Sequence, residues 1–196
     1  MNEATHDVLW RRLKYILTPQ WDIYESLRTK LRGTGRVLEV GFGTGAGVVM
    51  YALEAEWVDA IEVDPGAVHF AQAMFPLRNV NWIEANILSY HPNRMYDAVV
   101  MVETLEHIQD WQAALENIWR LLKVGGCLIM TARNRNADLR RWKDLHEREW
   151  SAGEFSSALL EYFGDCELYD YSLEHKQTND TKLTPLIGIA RKSHGS

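Results

Sequence analysis

The chain has 196 residues, enough for one well-buried core and too few for two ordinary domains. Hydrophobic residues at 46% and charged residues at 24% are the composition of a globular protein; no apolar run reaches the length of a membrane span. The formal charge of −6 argues against broad electrostatic binding to nucleic acid, and residues 1–7 lack the basic and apolar regions of a signal peptide, so a cytoplasmic protein is expected.

Two amphipathic helices are predicted over residues 8–14 and 21–31, broken at Thr18-Pro19; with residues 1–32 they are expected to cover the substrate side of a domain spanning 33–192. Residues 37–40 (Val-Leu-Glu-Val) read as a buried strand that ends in the turn Gly41-Phe42-Gly43-Thr44-Gly45. Alternating glycines permit positive φ and let a ligand lie against the backbone, and the following residues are helical in composition. Strand, glycine turn and helix make a nucleotide-type cradle. Gly41-x-Gly43-x-x-Ala46 also satisfies a loose dinucleotide fingerprint, which leaves a nicotinamide cofactor as one alternative.

A second strand over 58–63 ends near Glu62, about twenty residues after Gly41, where an acid can accept from both hydroxyls of a ribose. Asp64 and Pro65 are suited to cap and open the next helix. After a third strand at 80–84, Asn86 is placed to meet the exocyclic amine of a purine, with the apolar Ile87 over the ring. Glu39, one residue before Gly41, can bind an ammonium group, which an amino-acid-bearing cofactor offers and a dinucleotide does not. A fourth strand (96–102), a helix (108–122) with Trp111, Leu115, Ile118 and Leu122 on one stripe, and a fifth strand (127–131) follow. Ser151-x-x-Glu154 is a capping box for a helix reaching Tyr162, and strands at 166–171 and 186–190 close the chain, with a possible hairpin in the polar stretch between them. The alternation implies an α/β fold: a three-layer, doubly wound, mostly parallel sheet of seven strands with an antiparallel C-terminal edge strand. Cys127 and Cys166 form no spaced framework and read as reduced, buried thiols.

Between strand four and its helix lies Glu103-Thr104-Leu105-Glu106-His107. On a helical turn Glu103, Glu106 and His107 share a face. Imidazole suits a general base, and two carboxylates with an imidazole are a partial site for a divalent ion, to which His146 could add a ligand. Asn134 is placed to touch an acceptor; Tyr15, Trp21, Tyr24 and Trp150 are candidate pocket walls. The basic run Arg133, Arg135, Arg140, Arg141, Lys143 and Arg148 reads as a solvated face or a local anionic-ligand patch.

Taken together these residues resemble the class I S-adenosylmethionine-dependent methyltransferases. The matching pieces are Glu39-Val-Gly41-Phe-Gly43-Thr-Gly45, Glu62, Asn86-Ile87, Tyr96-Asp97-Ala-Val-Val, Glu103-Thr-Leu-Glu106-His107 and Leu121-Leu-Lys-Val-Gly125-Gly126, in order over residues 33–192. Asn86 stands where aspartate is more frequent, and Val124 where proline is. The resemblance implies a Rossmann-like fold and S-adenosyl-L-methionine as cofactor, with S-adenosyl-L-homocysteine as product. It places Gly41, Phe42, Gly43 and Gly45 against the methionyl and ribose parts, Glu39 at the methionine amino group, and Glu62 on the ribose. Val63 would flank the adenine, and Asn86 with the Ile87 N–H would read its edge. Glu103 would sit at the methionine end, and His107 with Glu106 would be catalytic. The expected acceptor is an oxygen of a small molecule or glycan intermediate. Glu103-x-x-Glu106-His107 is also similar to quinone-biosynthesis O-methyltransferases. Paired with His146-x-x-Glu149-Trp150 it is similar to magnesium-dependent small-RNA 3′-terminal 2′-O-methyltransferases, an alternative that the acidic net charge disfavours. A non-catalytic module that binds S-adenosylmethionine is the other alternative.

Overall fold

The computed structural model describes residues 21–137, 148–170, 172–181 and 185–193. The predicted helix at 8–14, Tyr15, Arg140, Arg141, Lys143 and His146 lie outside them. In chain order the elements are α1 (Trp21–Lys30), β1 (Arg36–Val40), α2 (Ala46–Ala52), β2 (Trp57–Glu62), α3 (Pro65–Met74), β3 (Val80–Glu84), β4 (Tyr96–Met101), a 3₁₀ turn (Leu105–His107), α4 (Trp111–Leu121), β5 (Leu122–Ala132), α5 (Ala152–Phe163), β6 (Glu167–Tyr169), β7 (Lys176–Gln177) and β8 (Leu186–Arg191). No helix among the described residues is long and apolar enough to cross a membrane.

The strands form one sheet in the order β3-β2-β1-β4-β5-β8-β6-β7. Strands β3, β2, β1, β4 and β5 run parallel, each joined by a crossover. The chain leaves β1 toward β2 and β3, then returns to β4 on the other side. The crevice for a ligand in such a sheet opens at that reversal, beyond the carboxyl ends of β1 and β4.

Alternation within the strands builds two cores. Val37 on β1, Val58 and Ala60 on β2 and Val100 on β4 pack against α1, α2 and α3 through Leu27, Tyr51 and Val68. Leu38, Val40, Val99 and Met130 face α4 and α5 through Leu115, Ile118, Phe155 and Leu159. Three layers result. The helix starts follow their sequence signals. Asp64 accepts from the Gly66 N–H at 2.8 Å with Pro65 in the first position of α3, Asp110 accepts from Ala113 at the start of α4, and Ser151 with Glu154 forms a reciprocal capping box on α5.

The C-terminal flank departs from expectation. Among the described residues the sheet has eight strands rather than seven, and the antiparallel C-terminal strand is interior, between β5 and β6, rather than at the edge. Burial explains the placement. Leu186, Ile187 and Ala190 of β8 are buried on both faces of the sheet, whereas the β6–β7 hairpin carries Glu167 paired with Lys176 and tolerates the wet edge. The predicted helix at 108–122 begins only at Trp111, and β5 takes up Leu122, so the glycine pair Gly125-Gly126 lies within the strand as an irregularity rather than before it.

Candidate functional site

A cavity of about 910 Å³ opens at the reversal point. It is lined from β1 and its turn by Val40, Gly41 and Gly43, from β2 by Ile61, Glu62 and Val63, from the segment after β3 by Asn86 and Ile87, and from the segment after β4 by Glu103, Thr104 and His107. Strand pairing in register brings these ends together.

The glycines of the turn serve different ends. All three have positive φ, +72° at Gly41, +54° at Gly43 and +79° at Gly45. A side chain at Gly41 would strike Thr104, and one at Gly45 would strike Trp82 and Ala71, so both positions are closed by packing. At Gly43, itself a lining residue of the cavity, an added Cβ would meet nothing within 4 Å among the described residues. Phe42 turns the other way: it is buried and meets Trp82 edge-on at 5.0 Å. Its side chain supports the turn from below and does not line the cavity.

Glu62 is tied to this turn. Its carboxylate accepts from the Gly43 N–H at 3.0 Å and the Val63 N–H at 2.8 Å, which fixes an acid on the cavity wall. Val63 is 61% exposed, a large apolar side chain standing open at the cavity. Asn86 also lines it, with its carboxamide oxygen accepting from the Leu88 N–H at 2.9 Å in an Asx-turn.

Three buried acids contrast sharply. Asp59, deep in β2, accepts from Tyr96 at 2.9 Å, Asn81 at 2.9 Å and Trp57 at 3.0 Å, and is a structural group. Glu39 and Glu106 are as deeply buried, yet one oxygen of Glu39 and both oxygens of Glu106 have no partner among the described residues. A buried carboxyl without a partner is costly, most of all when ionised. Glu39 faces the α1–α2 layer near Tyr24 and Tyr51, and burial holds its carboxyl well above the usual range.

The segment after β4 does not put its three polar residues on one face. Glu103 takes a left-handed backbone, φ +48°, before the 3₁₀ turn begins. Such a conformation costs a non-glycine residue about 1–3 kcal/mol. Glu106 then points inward and His107 outward onto the cavity wall. Among the described residues no group of three or more His, Cys, Asp or Glu is arranged to hold a metal ion, and His146 is outside those residues. Burial, and then the nearby Glu103 charge, raise the Glu106 carboxyl to about 8. A raised carboxyl stabilises the fold fully below the unfolded value of about 4.3 and loses that contribution as pH rises through the folded value. Thermal unfolding should therefore show Glu106→Gln gaining on the wild type between about pH 5 and pH 8; parallel melting curves at every pH would remove the assignment.

Sequence reasoning missed Thr104 and Thr131. The Thr104 hydroxyl lies 3.0 Å from the Val102 carbonyl and 3.3–3.4 Å from those of Val40 and Gly41, so it locks the two turns together. Thr131 of β5 bonds Glu103 twice. Neither threonine stands in a spacing that would reveal it. The other predicted wall residues are mostly structural: Trp150 is buried between Trp111 and Phe155, and Asn134 donates to the Thr181 carbonyl at 2.9 Å. Of the basic run, Arg133 lies 4.0 Å from Glu103, Arg135 pairs with Glu154 at 2.9 Å, and Arg148 stacks over Trp111 and Trp150.

A family model described as a methyltransferase domain matches residues 9–163. An uncharacterised methyltransferase of Mycobacterium bovis is 35% identical over 99 residues, 50% of this chain and 50% of that protein. A ubiquinone biosynthesis O-methyltransferase of Pectobacterium carotovorum is 31% identical over 109 residues, 52% of this chain and 44% of that one. The chain thus spans about half the length of the curated relatives it matches. The N-methyltransferase NodS of Bradyrhizobium japonicum, solved with S-adenosyl-L-homocysteine, superimposes with a TM-score of 0.68 at 20% identity over 97% of this chain and 99% of that chain, a likeness of fold. With the family model covering most of its length and a fold like that of the N-methyltransferase, the chain belongs to the class I S-adenosylmethionine-dependent methyltransferases.

Proposed function

We propose that this protein transfers a methyl group from S-adenosylmethionine to an oxygen of a small molecule or glycan intermediate. The residues present fit the cofactor. Glu62 offers a fixed carboxylate on the cavity wall, Gly43 has open space beside it among the described residues, and an oxygen of Glu39 on β1, without a partner among them, suits an ammonium group. When bound, the cofactor would supply an electrophilic methyl group on a sulfonium, open to in-line attack by an acceptor oxygen with the neutral thioether as leaving group. The chain's own contribution is alignment and the management of one proton.

Glu62 accepts from ribose hydroxyls while the Gly43 and Val63 N–H groups hold it in place. Val63 and Ile87 offer apolar surface to a purine, with Asn86 at its edge. His107 would accept the proton that a hydroxyl acceptor loses. Its presence on the wall of the same cavity as Glu62 and the glycine turn is the observation that carries the reading. The relative acting in ubiquinone biosynthesis supports oxygen as the acceptor atom. The N-methyltransferase of like fold supports nitrogen, the competing outcome.

Incubation with donor carrying a radiolabelled methyl group and a panel of hydroxyl- and amine-bearing acceptors tests this directly. Label is expected in a hydroxyl compound, and Glu62→Ala should weaken S-adenosylhomocysteine binding at least about tenfold by calorimetry, the loss of one charged contact. Label confined to amines would reassign the acceptor atom, and unchanged affinity in the variant would reassign Glu62.

A further inference from the structure

The cavity gathers the carboxyl ends of the strands; the opposite end of the sheet carries a polar cluster of its own. Arg36 opens β1, Tyr96 opens β4, Asn81 is the second residue of β3, and all three reach Asp59, the third residue of β2. Arg94, from the connection between β3 and β4, reaches it too. Asp59 is fully buried. One carboxylate oxygen accepts from Trp57 at 3.0 Å and Asn81 at 2.9 Å. The other accepts from the Tyr96 hydroxyl at 2.9 Å and, at 3.4 Å each, from Arg36 and Arg94. None of these residues lines the cavity.

That carboxylate is oversubscribed. Five donors share about four lone-pair sites. Both guanidiniums stand off at 3.4 Å, where a charge-assisted bond closes to about 2.7–2.9 Å. Two cations face one anion, which leaves a positive surplus. Asp97, the second residue of β4, does not offset it, because its oxygens accept from Lys123 Nζ at 2.7 Å and the Arg36 backbone N–H at 2.8 Å. Each guanidinium has five N–H donors, and Asp59 is the one carboxylate among the described residues with which either side chain pairs. The side chains stay open to solvent, 33% exposed at Arg36 and 45% at Arg94. Arg36 is steadied further by the Trp57 ring, 5.6 Å from its guanidinium carbon. The two nitrogens that meet Asp59 each lie 3.4 Å from one oxygen, and so stand at most twice that distance apart. A tetrahedral oxyanion spans such a gap with one bond to each fork.

We propose that Arg36 and Arg94, tethered by Asp59 at the amino end of the sheet, form a binding site for a phosphate group. Asp59 holds the two forks together against their mutual repulsion, and the ligand takes up the donors and the charge that one carboxylate leaves over. The site is separate from the cavity and independent of the cofactor reading.

Calorimetry of the full chain with inorganic phosphate, at low ionic strength and free of other oxyanions, is the test. Wild type should bind one phosphate with a Kd of about 1 mM, the strength of two charged contacts. Arg36→Gln and Arg94→Gln should each weaken binding at least about tenfold. Arg120→Gln, which removes an exposed guanidinium from α4, should leave it within about twofold. Arg94→Lys keeps the charge beside Asp59 and loses only the fork, so a folded lysine variant of intermediate affinity distinguishes a lost ligand contact from a disturbed fold. Phenyl phosphate titrated in parallel separates the sources. Tighter binding than inorganic phosphate assigns a phosphomonoester, and equal or weaker binding assigns the free ion, each in support of the site. Saturating S-adenosylhomocysteine should leave phosphate binding unchanged. No binding by wild type at about 10 mM phosphate, full affinity in either glutamine variant, an equal loss in Arg120→Gln, a lysine variant as weak as the glutamine one, or displacement by S-adenosylhomocysteine would each overturn the assignment.

Discussion

Replacing His107 with alanine should lower methyl transfer by about 10²–10⁴-fold, the range lost when a positioned acid–base group is removed. Affinity for S-adenosylhomocysteine should hardly change. The imidazole stands on a short 3₁₀ turn closed by the His107 N–H to the Thr104 carbonyl at 3.0 Å and the Ile108 N–H to the Leu105 carbonyl at 3.1 Å. Leu105 and Glu106, both buried, pin that turn to the core. The side chain therefore projects from a rigid support onto the cavity wall. A group so mounted contributes to reaction by orientation, which a truncated variant cannot recover. Single-turnover transfer to the identified acceptor, alongside calorimetry of product binding, measures the two quantities separately. A rate within about threefold of wild type would remove His107 from the chemistry and leave it as part of the wall.

Gly41→Ala should be the most damaging of the small substitutions in the turn. The new methyl group would lie 2.4 Å from Thr104 Cγ2 and 2.5 Å from its Oγ1. Thr104 cannot yield easily, since its hydroxyl is lodged among the carbonyls of Val40, Gly41 and Val102. The backbone at φ +72° adds its own penalty of about 1–2 kcal/mol. With an overpacking cost of about 1–3 kcal/mol, the fold should lose about 2–5 kcal/mol in denaturant titration, and cofactor binding should fail. Gly43→Ala is the informative contrast. Its methyl group meets nothing within 4 Å among the described residues, so the stability loss should stay near the backbone penalty alone while the methyl group occupies space beside the turn and binding still fails. A Gly43→Ala protein that binds S-adenosylhomocysteine normally would show that the ligand lies elsewhere.

The features legible in the sequence were those governed by local rules. Asp64-Pro65 and Ser151-x-x-Glu154 open their helices as the capping pattern implies, because a cap is decided within four residues. The strand–glycine–helix unit and the acid ending β2 fall where expected because a parallel sheet gathers the carboxyl ends of its strands. Three things were not legible. Glu103, Glu106 and His107 have helical spacing, but the left-handed residue at Glu103 breaks the period before it starts, and that conformation depends on Thr131, distant in sequence. Phe42 sits in the motif, yet its partner Trp82 comes from β3 and draws it away from the cavity. The order of the final strands depends on which one can be covered on both faces, a property of the whole sheet that no single segment carries.

The interior position of β8 has a consequence for how the molecule is made. Strand β6 meets the sheet only through β8, which comes later in the chain, and β5 pairs with β8 over six residue positions. During synthesis, β5 therefore presents an open apolar margin from the time it leaves the ribosome until residues 186–191 have followed. In that interval, edge-to-edge association with another nascent chain competes with closure. Once β8 is seated, the charged β6–β7 hairpin becomes the new rim, and the margin that invited association is sealed inside.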